Sequence, residues 1–377
     1  MKLIPLVLLV LLLFTLNNTP NATSTITTIE RLTYEKKNKS QKLNYPPPVV
    51  IWHGLSDSYE NPALDSLAKK INLRYPHTTV YKIRLDSSDS ADRRATWFGS
   101  ANEQVNSVCE QLARIDELTV GFDAVGFSQG GQLLRAYVER CNCPKVRNLI
   151  TLGSQHMGVS GSPPCTSLFD VGCHILHKLI QSGTVYGPYA QQKIIPAQYF
   201  RDQTNLAPYM KYNQLLRDIN NERWNDTQPA DSGSLPIDEP GDEIPYEPRN
   251  LTYKHNLESL QNFVMFRFSA DTLVIPPTSA YFTLPNVTAS TPSDVLDPIP
   301  IALQDLPIYQ EDYIGLKTLD QAGKIHYGTC FGGHMQIDEH CWENVMDWLG
   351  DGSRPGADVG IPAMEHQGQQ LVLQQDY

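Results

Sequence analysis

From residue 46 onward, short apolar runs alternate with amphipathic stretches. Runs at 48–52, 79–84, 121–127, 146–152 and 263–268, with a weaker one near 323–328, read as buried strands. Between them, Val105, Val108, Leu112 and Ile115 recur at helical spacing and predict a helix within 103–118. The segments "GGQLLRAYVERC" at 130–141 and "EHCWENVMDWLG" at 339–350 carry the same period. Strand and helix in alternation predict a mostly parallel sheet flanked by helices on both faces.

The alternation breaks between 155 and 262. Apolar, aromatic, helix-like stretches fill 168–222, including "LFDVGCHILHKLI" and "LAPYMKYNQLLRDINNERW". Residues 225–248 follow, acidic and rich in proline. The expected organisation is a helical cap inserted at about 165–250, with 225–248 as an exposed acidic loop, in a domain spanning 46–350. The polar segment 21–45 reads as a flexible arm and 351–377 as a disordered tail.

The first twenty residues change the picture. Met1-Lys2 and then "LIPLVLLVLLLFTL" form an apolar run shorter than the ~20 residues a span requires, which fits a secretory leader. N-x-[ST] sites begin at Asn17, Asn21, Asn38, Asn225, Asn250 and Asn286, as on a glycosylated chain. The secretory route is oxidising, so most of the seven cysteines should be paired. A net charge of −11 argues against nucleic acid as a partner, and no stable membrane span is expected after the leader.

Chemistry enters at "GFSQG", residues 126–130. A serine on a sharp strand-to-helix turn presents its hydroxyl in a strained conformation, and glycines two positions away on each side avoid collision. Ser128 follows "FDAV" and opens a helix, the context this motif needs. Its hydroxyl requires a base and an orienting acid, which follow in the order Ser, Asp or Glu, His on such a sheet. Among His255, His326, His334, His340 and His366, only His334 lies in a glycine-flanked loop, "CFGGHMQIDEH", after a strand. His326 falls inside that strand and His340 at a helix start. Asp271 follows the strand "FVMFRF" at the edge where Ser128 sits, while Asp294, Asp297 and Asp305 compete from a proline-rich loop. Amides of Gln129, after the nucleophile, and Leu55, in "WHGLSDS", are the expected oxyanion hole, with His53 and Gly54 shaping that loop.

With these pieces placed, the chain resembles the palmitoyl-protein thioesterases, lysosomal α/β-hydrolases that remove long acyl groups from cysteine. The resemblance runs from about Pro47 to Leu349 and rests on "PVVIWHGLSDS", "GFSQGGQLLRAYVERC", "LGSQHMGVSG", "FVMFRFSADTLVIPP", "YIGLKTLDQAGKIHY" and "GGHMQI". It implies the α/β-hydrolase fold, Ser128 as nucleophile, Asp271 as acid and His334 as base. Leu55 stands where the family usually has methionine, which matters little if only its amide is used. The resemblance also implies bridges Cys109–Cys141 and Cys165–Cys173, although Cys143 could replace Cys141. A Cys330–Cys341 bridge around His334 is expected independently of the family, from position alone. Cys165, Cys173, His174 and His177 could mimic a zinc site, but a disulfide suits the oxidising route better; no metal or cofactor is expected.

The implied substrate is an S-acylated protein or peptide, met in the lysosome, a vacuole or outside the cell. A palmitoyl tail brings about fourteen methylenes at roughly 0.8 kcal/mol each, about 11 kcal/mol gross, so an apolar groove is needed. Candidate walls in the cap are Leu168, Phe169, Ile175, Leu176, Leu179, Ile180, Tyr199, Phe200 and Leu206, most of which would also serve as the cap's own core. A lipid esterase of the same fold, or a non-catalytic lipid-binding module, are the competing readings; an intact Ser, Asp and His speaks against the second.

Overall fold

The computed structural model describes residues 28–32, 46–161, 165, 170–223, 248–286 and 300–350. Six strands run parallel through the core: β2 (Val49–Trp52), β3 (Val80–Arg84), β4 (Phe122–Phe127), β5 (Val146–Leu152), β6 (Asn262–Phe268) and β7 (Ile325–Cys330). The sheet order is β1-β3-β2-β4-β5-β6-β7, with β1 (Thr28–Leu32) antiparallel to β3 at the edge. This is the mostly parallel sheet expected from the alternation. The strand Thr28–Leu32 lies inside the segment read as an arm. An edge strand needs only backbone pairing on one side, so a polar stretch can supply it.

Every position of β2 and β4 is buried, as suits strands covered on both faces. Helices α1 (Pro62–Arg74), α2 (Asp89–Ala95), α3 (Ala101–Leu112) and α4 (Gln129–Arg140) connect the first half of the sheet. Asn61, Ser88 and Ser100 cap α1, α2 and α3 through their side-chain oxygens, fixing where each begins. Helix α4 follows β4 directly and is buried at almost every position, because it crosses the centre of the sheet.

Between β5 and β6 the chain leaves the sheet and forms α5 (Val171–Gln181), α6 (Pro188–Lys193), α7 (Ile195–Gln198), α8 (Leu206–Tyr212) and α9 (Leu216–Ile219), before α10 (Leu251–Glu258) returns to it. Asp170 caps α5. The proline-rich acidic stretch and the termini fall outside the described residues apart from β1. Helix α11 (Leu316–Gln321) precedes β7, and α12 (Glu339–Met346) closes the fold. Three disulfides join Cys109–Cys141, Cys165–Cys173 and Cys330–Cys341, and Cys143 is free and exposed. No helix among the described residues is long and apolar enough to cross a membrane.

Candidate active site

The elbow is built by steric exclusion. Ser128 has φ 49° and ψ −120°, a strained backbone for a residue with a side chain. A Cβ on Gly126 would fall 2.2 Å from Gly131 Cα, and one on Gly130 would fall 2.3 Å from the Trp52 carbonyl oxygen. Both glycines are therefore required for β4 to turn straight into α4. The Ser128 amide donates to the Leu152 carbonyl at 2.8 Å, anchoring the turn to β5. The second glutamine of the motif, Gln132, is buried and donates from Nε2 to the Gln155 carbonyl at 2.7 Å, tying α4 to the loop after β5.

Because the strands are parallel, their C-terminal ends share one edge, and the candidate residues collect there. Asp271 follows β6, and its Oδ2 lies 2.6 Å from His334 Nδ1, in the loop after β7. The other oxygen, Oδ1, accepts the amides of Leu273 and Val274 at 2.9 and 3.0 Å. With both oxygens engaged, the carboxylate has one orientation, and its side chain is 1% exposed. A proton on Nδ1 facing the carboxylate leaves Nε2 of His334 as the basic nitrogen. The loop around His334 is stitched to the loop after β6: Gly332 N donates to Ser269 Oγ at 3.0 Å, and Ala270 N donates to the Gly332 carbonyl at 2.8 Å. Phe268 packs edge-on against the imidazole, with centroids 5.8 Å apart.

The other histidines do different work. His326 lies in β7, bonded to Asn262 at 2.9 Å and packed on Trp348, and His340 is exposed on α12. Asp305 sits in a short 3-10 turn, while Asp294 and Asp297 lie outside the described residues.

On the opposite side of the elbow, the loop after β2 carries Leu55. Its base is a buried pair, with His53 Nε2 2.9 Å from Asp92 Oδ2. Asp92 also accepts the amides of Tyr59, Leu85 and Asp86, joining the loops after β2 and β3 to α2. Ser56 is held at φ 62°. The side chain of Gln129 is 1% exposed; its Nε2 donates to the Thr96 carbonyl, and its Oε1 accepts from the Tyr199 hydroxyl, both at 3.1 Å. Burial pushes the Tyr199 phenol well up from its usual range, so it stays a donor.

Ser128, Leu55 and His334 line one cavity of about 360 Å³. Its walls are largely apolar and include Trp97, Phe127, Val159, Leu176, Tyr199, Leu273, Val274, Met335, Ile337 and Trp342. Of the cap residues expected there, Leu176 and Tyr199 are present. Ile175 and Leu179 border a separate surface depression, and Phe200 is buried in the main core. Ile180 and Leu206 pack against that core, and Leu168 and Phe169 lie outside the described residues. Half of the ten named wall residues thus come from the loops after β5, β6 and β7, and the rest from helices, helix ends and β4. Cys165, Cys173 and His177 do cluster, but the two sulfurs are bonded to each other. Asn250 is exposed at the start of α10, Asn286 is half-buried, and Asn225 lies outside the described residues.

A family model described as palmitoyl protein thioesterase matches residues 48–334. The chain is 35% identical over 291 residues to palmitoyl-protein thioesterase 1 of Caenorhabditis elegans, covering 77% of this chain and 87% of that protein. It is 30% identical over 290 residues to a palmitoyl-protein thioesterase-dolichyl pyrophosphate phosphatase fusion of Schizosaccharomyces pombe, covering 77% of this chain and 41% of that one. A lysosomal thioesterase homologue of Drosophila melanogaster is 26% identical over 282 residues, covering 74% of this chain and 82% of that protein.

Proposed function

The chain belongs to the palmitoyl protein thioesterase family, and on that premise we propose that it hydrolyses long-chain S-acyl thioesters of cysteine through an acyl-enzyme on Ser128. The observation that carries this reading is the oriented Asp271–His334 pair opening into the same apolar cavity as the strained serine.

In the first half-reaction, His334 Nε2 takes the Ser128 proton as Oγ attacks the thioester carbonyl. The amides of Leu55 and Gln129 receive the negative oxygen, aided by the positive end of α4. Collapse of the tetrahedral intermediate breaks the C–S bond, and the imidazolium returns its proton to the departing thiolate. A thiol with a parent pKa near 8.5 leaves more readily than an amine, so stabilising the oxyanion matters more than donating the proton. Water, deprotonated by the same histidine, then hydrolyses the ester, releasing the fatty acid and restoring Ser128. The cavity supplies the apolar contact that favours a long chain, and Asp271 and His334 need no metal or cofactor in this scheme.

The substrate is accordingly an S-acylated protein or peptide. The leader, the sequons at Asn225, Asn250 and Asn286, and the cysteine pairs support a secretory route ending in the lysosome or a vacuole, or outside the cell. We assign the cap to about residues 165–250, within a domain of 46–350.

A chain-length series of acyl thioesters on the wild type and Ser128→Ala tests this, with triglyceride in parallel. Expected are turnover rising with chain length, a loss of about 10⁵-fold or more in Ser128→Ala, and an unchanged unfolding midpoint. Ser128→Ala within tenfold of wild type contradicts the nucleophile. Faster turnover of triglyceride than of palmitoyl thioester returns the protein to the lipid esterases.

A further inference from the structure

We infer that Arg93, Thr96 and Trp97, at and just beyond the C-terminal end of α2, form a bracket that positions both oxyanion-hole amides, with Thr96 bonded to both halves. The inference rests on the catalytic reading above and concerns residues that do not touch the reacting atoms.

Ser56 follows the Leu55 donor and is gripped at each of its polar groups. Its amide donates to Thr96 Oγ1 at 2.9 Å, its Oγ accepts from Trp97 Nε1 at 2.6 Å, and its carbonyl accepts from Arg93 Nη1 at 3.0 Å. An exposed serine at φ 62° would otherwise relax toward commoner backbone angles and rotate the neighbouring Leu55 peptide. The second donor is held from the same place, because Gln129 Nε2 bonds the Thr96 carbonyl. Thr96 is itself 1% exposed, and its hydroxyl donates to the Arg93 carbonyl at 2.6 Å. The hydroxyl proton is thereby committed, so a lone pair faces the Ser56 amide.

The bracket is also joined to the cap. The Ile195 amide donates to the Trp97 carbonyl at 3.0 Å, and the Gly99 amide to the Lys193 carbonyl at 2.9 Å. A Cβ on Gly172 would meet the Trp97 ring at 2.4 Å, so α5 rests directly on that indole. Trp97 also lines the acyl cavity. An acyl chain pressing on the cavity wall thus meets the residue that fixes Ser56.

The test compares kcat and KM on palmitoyl thioester for wild type, Thr96→Val, Thr96→Ser and Trp97→Phe, with Ser128→Ala as the inactive reference. It adds the affinity of each for a long-chain trifluoromethyl ketone, which mimics the tetrahedral oxyanion, and for free palmitate. Thr96→Val keeps the shape but removes the acceptor, and should lower kcat about 10- to 50-fold, less than deletion of a donor itself. KM and palmitate affinity should stay within about threefold, while ketone affinity falls in step with kcat/KM. Thr96→Ser should restore the rate. Trp97→Phe, which deletes the Nε1 donor together with part of the indole that lines the cavity, serves where Thr96→Val does not fold and should lower kcat about 3- to 10-fold, with ketone affinity falling more than palmitate affinity. The bracket is overturned if kcat in Thr96→Val, or in Trp97→Phe where the former does not fold, stays at the wild-type value, or if palmitate and ketone affinities fall together in Thr96→Val. Loss of the underlying reading looks different: Ser128→Ala would then retain activity, or wild type would have none.

Discussion

The polar rim of the site and the wall of its cavity are made by opposite means. At the rim, each group is fixed by hydrogen bonds within its own loop or to a neighbouring segment: Asp271 to two amides and an imidazole, Gly332 to Ser269, Gln129 to Thr96 and Tyr199. The wall is assembled from apolar side chains on segments spread from Leu55 to Trp342, and needs correct volume rather than correct angles. Chemistry on a carbonyl tolerates little displacement, whereas a flexible alkyl chain can settle into any dry groove of adequate length. Substitutions at the rim should therefore be costly in rate and indifferent to chain length, and those in the wall the reverse.

The sharpest break in that contrast is Asp271→Asn. The amide cannot hold His334 in the tautomer that leaves Nε2 basic, so kcat should fall about 10³- to 10⁴-fold, equally for short and long acyl thioesters. A loss confined to palmitoyl substrate would place Asp271 in the wall instead. Next comes the Cys330–Cys341 bridge, which spans the His334 loop with a separation of 11 residues. Replacing both by serine should lower the unfolding free energy by about 3 kcal/mol, read by denaturant titration. A change below about 1 kcal/mol would mean that the stitching to Ser269 and Ala270 carries that loop unaided.

In the wall, Leu176→Trp should fill the space of about three methylenes. At roughly 0.8 kcal/mol each this lowers kcat/KM for palmitoyl thioester about 50-fold, with butyryl thioester within about threefold. Equal losses on both substrates would erase the distinction between rim and wall.

A last prediction concerns stability against pH. Burial at the start of β4 raises the Asp123 carboxyl to about 7, against partial opposition from Arg147, Gly350 N and Asn148. The folded chain then keeps a proton that the unfolded chain releases above about pH 4. Stability from this group is highest at low pH and falls as pH rises from about 4 to 7. Wild type should unfold at a higher temperature at pH 5 than at pH 8, and Asp123→Asn should narrow the gap. A gap unchanged by the substitution would remove Asp123 as its source.

How much of this was legible in the sequence follows the same division. Strands at 146–152 and 121–127 and the helix after Ser128 were visible because burial leaves stretches rich in apolar residues, interrupted only at Arg147, Asn148, Thr151 and Asp123 in the strands, and the elbow because only glycine avoids the Trp52 carbonyl. His334 and Asp271 were singled out by their positions after strands, the places a parallel sheet gathers on one edge, and the fold brings the two within 2.6 Å of each other. The strand Thr28–Leu32 was missed, since an edge strand in a polar segment has no such run. Thr96 and the wall residues Val159, Ile337 and Trp342 were missed for a related reason. Their roles come from segments that meet only in the folded chain, and neither spacing nor residue type marks them beforehand.

The most direct examination of the central claim is to mix enzyme with excess palmitoyl thioester, quench in acid within the first turnovers, and locate the acyl group by peptide mass spectrometry. Palmitate is expected in ester linkage on Ser128, formed at the rate of thiol release and absent from His334→Ala. Thiol release with no acyl-enzyme in rapid-quench samples, or an acyl group on another residue that turns over as fast as the reaction, would contradict that claim.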